Sequence, residues 1–340
     1  MSKIIYIPLE HIDQRYTTHL DSDIVNYLES NNKEYIRIYP DIVPSRKLPS
    51  NMFLDAPFTC KFKSLQLAKI SELFELNEIN DGDTFFFSDL WFPGLEMIPY
   101  IAHFNNIKVS ITGILHAGSW TDTDEVRNLE RWAKNFEDII FDITDKIFVG
   151  SVFIKNDLLK KRFVHKEKIY VTPLPLDINN LNEFQNIDIL CKKDIIIFNG
   201  RNHPEKQPWL FEELKQYINK KYLEIYKTTC PYRFIWTHKL NLDKNSYYKL
   251  LSESKCVVSF ALQENYGYGI AEAVHLGCLP ILPNRLVYPE MYDTNCLYDN
   301  FNELVNKLFN VMNNYEKLIQ QPITKLNLNT FDSINKWFNE

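Results

Sequence analysis

CVVSFALQENYGYGIAEAVHLGCLPILPNRLVYPEM, residues 256–291, reads as strand, loop, helix and strand in immediate succession. Cys256–Phe260 is a short apolar run of the kind that fills a buried parallel strand. A polar loop follows, and Gly267 and Gly269 open a helix that contains Glu272 and stops at Gly277. A second apolar run starts at once with Cys278. Glycines at a helix start let the backbone approach a ligand closely. The helix tip behind them offers unpaired N–H groups and about half a positive charge, an anion site suited to a diphosphate. Glu264 in the loop and Glu272 in the helix bracket that site. A helix carboxylate can accept from both hydroxyls of a ribose; the loop carboxylate can hold sugar hydroxyls or a developing positive charge.

Outward from this segment the same rhythm fills the chain. Candidate strands are 3–7, 35–39, 84–87, 108–115, 146–149 and 168–172, with helical stretches around 18–29, 62–74, 94–104, 124–141 and 153–163 between them. The pattern breaks at 176–193, a polar, Asn-rich stretch after the Pro-rich VTPLP, which reads as a linker. It restarts with strands 194–199, 232–236, 255–261 and 278–282 and helices 205–220, 244–253, 270–276 and 301–314. Alternating strands and helices predict an α/β fold, each domain a doubly wound parallel sheet. The expected division is an N-terminal Rossmann-like domain over 1–178, a second over 179–320, and a segment 321–340 whose amphipathic stretch 331–338 could pack back on the first domain. Ligands bind such sheets beyond the carboxyl ends of the strands.

Composition agrees with a folded globular chain of two domains: 340 residues, 45% hydrophobic, 24% charged. A net charge of −6 argues against a general nucleic-acid coat protein. Six scattered cysteines without a CxxC fit reduced thiols in a cytoplasm, and no apolar run approaches the ~18 residues of a membrane span.

A second motif lies at IIIFNGRNHPEKQP, 195–208. A buried strand ends at Asn199–Gly200, then come Arg201 and, at the expected start of a helix, Lys206. Two cations beside a helix tip can stabilise charge growing on a leaving diphosphate. A third element, VSITGILHAGSW (109–120), delivers His116 to a strand end.

These elements together resemble glycosyltransferase family 4, the retaining GT-B enzymes with two Rossmann-like domains facing a cleft. The Glu-x7-Glu pair Glu264/Glu272, the glycines, the helix-ending Gly277 and Pro280, and Gly200-Arg201-x4-Lys206 all match that pattern. The resemblance implies a nucleotide-sugar donor, a UDP- or GDP-sugar, as co-substrate with no resident cofactor or metal. It implies donor contacts from Gly200, Arg201, Lys206, Tyr266, Gly267, Tyr268, Gly269, Ile270 and Glu272. Glu264, Arg201, Lys206 and His116 are the expected catalytic groups, with His116 facing the sugar or positioning the acceptor. The loop after the first strand, PLEHIDQRYT (8–17), lacks the family's glycines. It offers Glu10, Asp13, Arg15 and Tyr16 as acceptor-side candidates, joined by Asp89, Trp91 and Trp120.

PNRLVYPEMY (283–292) looks like tRNA-queuosine mannosyltransferases, and RYT, FFFSDLWFPG and LHAGSW look like bacteriophage glycosyltransferases linked to modified DNA bases. Both imply a hydroxyl on a modified nucleobase of DNA or tRNA as acceptor, and a cytoplasm (the host's, for a phage protein) as the place of work. A lipid or surface-glycan acceptor, or a GT-B protein that binds a nucleotide sugar without catalysis, are the alternatives. The run 155–168 places Lys155, Lys160, Lys161, Arg162, Lys166 and Lys168 against two acids. It reads as a solvated helix face or as a phosphate-contacting surface. Three Asp-x-Asp pairs, 21/23, 81/83 and 122/124, read as caps and turns rather than as a metal site.

Overall fold

Six short parallel strands built from β-branched and aromatic residues form the first sheet of the computed structural model, which describes residues 2–12, 15–40, 55–185, 192–325 and 330–339. In chain order this unit runs β1 (Ile4–Ile7), α1 (Thr17–Ser30), β2 (Tyr35–Arg37), α2 (Ala56–Glu75), β3 (Thr84–Phe87), α3 (Met97–Phe104), β4 (Ser110–Ile114), α4 (Glu130–Ile143), β5 (Lys146–Val149), α5 (Val152–Lys161) and β6 (Ile169–Val171). The strand order is β2-β1-β3-β4-β5-β6 and every pairing is parallel. Phe85, Phe86 and Phe87 are all fully buried, as expected of a central strand covered on both faces. Each such side chain stabilises the fold by about 1.5–3 kcal/mol.

The second unit spans Leu176–Asn327. It runs α6 (Ile178–Asn182), β7 (Lys193–Phe198), α7 (Pro208–Tyr226), β8 (Arg233–Trp236), α8 (Lys244–Glu253), β9 (Ser254–Val258), α9 (Tyr268–His275), β10 (Leu279–Pro283), α10 (Tyr288–Met291), β11 (Leu297–Tyr298) and α11 (Phe301–Leu318). The strand order is β11-β10-β9-β7-β8, again all parallel. Part of the predicted linker is helical: α6 is closed against α9 by Asn182 Oδ1, 3.0 Å from His275 Nε2.

Helix α12 (Thr330–Asn339) returns to the first unit. Trp337 Nε1 donates to Thr172 Oγ1 at 2.8 Å, Tyr27 donates to Asn335 Oδ1 at 2.7 Å, and the Phe338 and Phe86 rings lie 4.6 Å apart.

In each sheet the chain starts a strand, steps out to one side, and returns to the other side of it. The reversal falls between β1 and β3 in the first sheet and between β7 and β9 in the second. Such a switch point opens a crevice at the carboxyl ends of the two strands. The loops after β1, β3, β7 and β9 therefore carry the groups best placed for chemistry.

Candidate functional site

Arg201 and Lys206 follow β7, and Glu264 follows β9, so the second sheet's switch point gathers three of the predicted residues. Lys206 Nζ donates to Gln263 O at 2.6 Å and to Glu264 Oε2 at 3.1 Å. Arg201 Nη2 donates to Glu205 Oε1 at 2.7 Å, and Lys206 Nζ lies 3.7 Å from the same oxygen. Glu205 was missed in the sequence, where it reads as an ordinary first-turn acid. Its side chain is only 2% exposed, and it anchors Arg201, whose side chain is 35% exposed against 13% for Lys206. Lys206 is not the start of a long helix. It ends a 3₁₀ turn, Pro204–Lys206, and left-handed Gln207 separates it from α7. That tight turn aims its side chain across to the β9 loop. Trp236 Nε1 fixes the preceding loop by donating to Gly200 O at 2.8 Å.

Gly267 sits at φ +82°, a left-handed N-cap for α9 that a side chain would strain. Gly269 has a different reason: a Cβ there would lie 2.8 Å from Asn199 Nδ2, so it lets α9 meet the end of β7. The Ile270 amide already donates to Gly267 O at 2.9 Å, which removes it from the amides offered to a ligand. Tyr266 and Ile270 are buried, and the Tyr266 ring lies 5.2 Å from that of Tyr268.

Glu272 points into a separate, buried group. Its Oε1 accepts from Lys244 Nζ at 2.7 Å and from Tyr248 at 3.0 Å. Burial, with Glu272 second, pushes the Tyr247 and Tyr248 hydroxyls far above their ordinary range, so both stay protonated as donors. Lys244 went unnoticed in the sequence because it lies 28 residues away and reads as a helix-start lysine.

The first sheet's switch point collects Glu10, Arg15, Tyr16, Asp89 and His116. His116 Nε2 is 2.9 Å from Ser88 O, and a carbonyl only accepts, so Nε2 carries the proton. Burial lowers the His116 pKa although Asp89 opposes it, which keeps the ring neutral with its lone pair on Nδ1. Tyr16 packs 5.3 Å from that ring. Burial, then Asp89 and Glu10 against Arg15, raises the Tyr16 hydroxyl pKa. Asp89 Oδ1 accepts from the Trp91 amide at 3.2 Å.

A buried ion pair frames this loop. Glu137 is fully buried and accepts from Ser119 N at 2.5 Å, Ser119 Oγ at 2.9 Å, Trp91 Nε1 at 3.2 Å and Arg162 Nε at 2.9 Å. The loops bearing His116 and Asp89 are thus tied to one carboxylate on α4. The His11–Asp21 pair, 2.6 Å apart with Arg37 on the same carboxylate, is a further group that escaped the sequence. Burial would raise the Asp21 pKa, but His11 and Arg37 hold it below the usual range.

Several expectations need correction. Trp120 is not an acceptor-facing residue: it is fully buried against Phe141. Trp91 is half-buried, and its ring packs on Phe136 with its N–H spent on Glu137. The basic run does not form a row of available cations. Lys155, Lys161, Arg162 and Lys168 are committed to Ile169 O, Asp122, Glu137 and Asp142 O respectively. Asp81, Asp83 and Asp124 hold backbone: Asp83 accepts from Lys3 N at 2.7 Å, Asp81 from Lys108 N at 2.8 Å, and Asp124 from Val126 N at 3.0 Å. Asp21 and Asp23 do not cap a helix: both lie inside α1, with Asp21 on His11 and Arg37. Asp13 lies outside the described residues.

Comparison with known proteins now bears on this geometry. Sucrose-phosphate synthase from Thermosynechococcus elongatus superposes with a TM-score of 0.61 at 10% identity, covering 100% of this chain and 95% of that one. HepE from Anabaena, in complex with UDP and glucose, gives 0.57 at 10% identity over 94% of this chain and 92% of its own. The fold is GT-B. At such identities the likeness concerns the GT-B fold and not the reaction. No family model matches the chain. A curated relative, the tRNA-queuosine alpha-mannosyltransferase of Drosophila melanogaster, is 43% identical over 70 residues. That match covers 21% of this chain and 19% of the relative's length.

Proposed function

We propose that the chain is a retaining glycosyltransferase that moves a sugar from a nucleotide-sugar donor to a hydroxyl on a modified nucleobase of tRNA or DNA. The observation that carries the donor half is the meeting of Arg201, Lys206 and Glu264 at one switch point, from loops 58 residues apart in the chain. The nucleobase acceptor is supported by the local likeness to the tRNA-modifying mannosyltransferase.

In this reading Arg201 and Lys206 take the donor diphosphate, and Lys206 exchanges part of its contact with Glu264 for a phosphate oxygen. Glu272, held by Lys244 and Tyr248, takes the ribose. Glu264 contacts the transferred sugar. The bond from the anomeric carbon to the diphosphate oxygen breaks and its electron pair stays on the diphosphate. The acceptor oxygen bonds to the same face, and its proton passes to the leaving phosphate. His116 faces the transferred sugar or positions the acceptor. The reaction so drawn needs no resident cofactor.

The test is incubation of the protein with UDP- and GDP-sugars and with tRNA or DNA, followed by mass spectrometry of the digested nucleosides. A hexose- or pentose-sized gain on one base is expected. Donor hydrolysis without any nucleoside gain would move the acceptor to a lipid or glycan, and no donor turnover at all would leave a nucleotide-sugar-binding protein.

A further inference from the structure

Helix α2 buries Thr59, Phe62, Lys63 and Gln66 in its first turns and Ile70, Leu73 and Phe74 in its last. Three- and four-residue spacing puts them on one face, so a single buried stripe changes from mostly polar to apolar along the helix. The polar half meets the loop after β1, at the first sheet's switch point. Gln66 Nε2 donates to Pro8 O and to Ile38 O, each at 2.9 Å, and Thr59 Oγ1 donates to Glu10 Oε1.

Two acceptors are left over. Glu10 Oε2 and Gln66 Oε1 are buried and have no hydrogen-bond partner among the described residues. Glu10 is 3% exposed and Gln66 1%. Flipping the Gln66 amide would only turn its oxygen onto two carbonyls, so its orientation is fixed. Two neighbouring cations are engaged elsewhere: Arg37 on Asp21, and Lys63 on Trp91 O at 2.6 Å. A buried carboxyl oxygen without a donor lowers stability, and a group kept at that cost is one a ligand can complete.

We propose that Glu10 and Gln66 form the hydroxyl-binding end of the acceptor site, and that they take a neutral diol-bearing group; this rests on the glycosyltransferase reading above. Both atoms accept, so the matching ligand groups are donors; in an acceptor of this reaction those are hydroxyls. A phosphate, which only accepts, does not fit these two atoms. The acceptor's reacting part is therefore an uncharged ring or chain with adjacent hydroxyls, whatever larger molecule carries it.

Glu10→Gln tests this directly, because it keeps the oxygen bonded by Thr59 and puts an N–H where Oε2 was. The probe is cis-cyclohexane-1,2-diol, followed by saturation-transfer NMR on the full chain with UDP or GDP present. The wild type is expected to bind the diol and Glu10→Gln to bind it at least ~10-fold more weakly, the loss expected when a buried hydrogen bond to a ligand is removed. The Tm of Glu10→Gln should hold or rise, by up to roughly 4 °C, and Glu10→Leu should behave alike. Equal diol binding by both proteins, as an internal water on these atoms would give, overturns the proposal. So does a wild type blind to the diol, or a Tm several degrees lower in both variants. UDP and GDP affinity, measured in parallel, should not change in Glu10→Gln. If the wild type binds neither nucleotide while the diol difference stands, the donor reading fails and this site does not.

Discussion

The carboxyl edges of the two sheets arise from one topology and carry opposite chemistry. At the second sheet two cations meet two carboxylates: Arg201 and Lys206 against Glu205 and Glu264. Charge is balanced there before any ligand arrives, and the arrangement suits an anion that comes and goes. At the first sheet the side chains are Glu10, Asp89, Arg15, Tyr16 and a neutral imidazole, and two acceptor atoms have no donor among the described residues. That edge suits a hydroxyl-bearing molecule. On the proposed reading, the same β–α–β wrapping makes an anion site at one edge and a hydroxyl site at the other, according to a few residues after each strand.

Removing the frame of the first edge should cost the most. Glu137→Ala leaves Arg162, 2% exposed, without its buried partner, and an uncompensated buried charge costs about 3–5 kcal/mol. Urea unfolding would measure it; an unchanged midpoint would mean the pair does not hold the His116 loop. At the second edge, Arg201→Ala or Lys206→Ala should slow transfer by about 10²–10³-fold with the fold intact, as loss of one charge-stabilising donor does. Rates within twofold of wild type would sever the comparison at its anion side. Gly267→Ala should destabilise by about 1–2 kcal/mol, because its left-handed backbone disfavours a side chain; a neutral effect would mean that the turn is not strained.

The smallest effect is that of pH. Burial lowers the pKa values of His116, His238 (helped by Arg201) and His275. A depressed folded pKa means that the unfolded chain binds protons first. The stability involved is complete above about pH 6.5 and is lost as pH falls through the folded values. Thermal melts at pH 7.5 and 5.5 should show the lower Tm at the acid end; equal values would mean these rings are solvated.

What could be read from the sequence divides along the same line. Strands Thr84–Phe87 and Lys146–Val149 follow from short continuous apolar runs, and helix Lys244–Glu253 from apolar residues at helical spacing. Arg201, Lys206 and Glu264 were legible because motif and strand ends coincide. Their partners were not. Glu205 resembles any first-turn acid, Lys244 sits 28 residues from Glu272, and Glu137 lies on a helix far from the loops it ties. Such roles depend on which element packs beside which, and local pattern does not encode that. Trp120 misled for the converse reason: a tryptophan after a strand reads as a ligand platform until its burial is known. In the basic run 155–168 four of the six cations cap carbonyls and acids across β6, α4 and the β4 loop, which local pattern does not show either.

The most direct measurement is a calorimetric titration of UDP and GDP into the wild type and Arg201→Ala. One of the two nucleotides should bind the wild type and lose at least ~10-fold in affinity in the variant, as a phosphate that loses its guanidinium does. Equal affinity in both proteins, or no binding to the wild type, would contradict the placement of a diphosphate at the β7–β9 switch point.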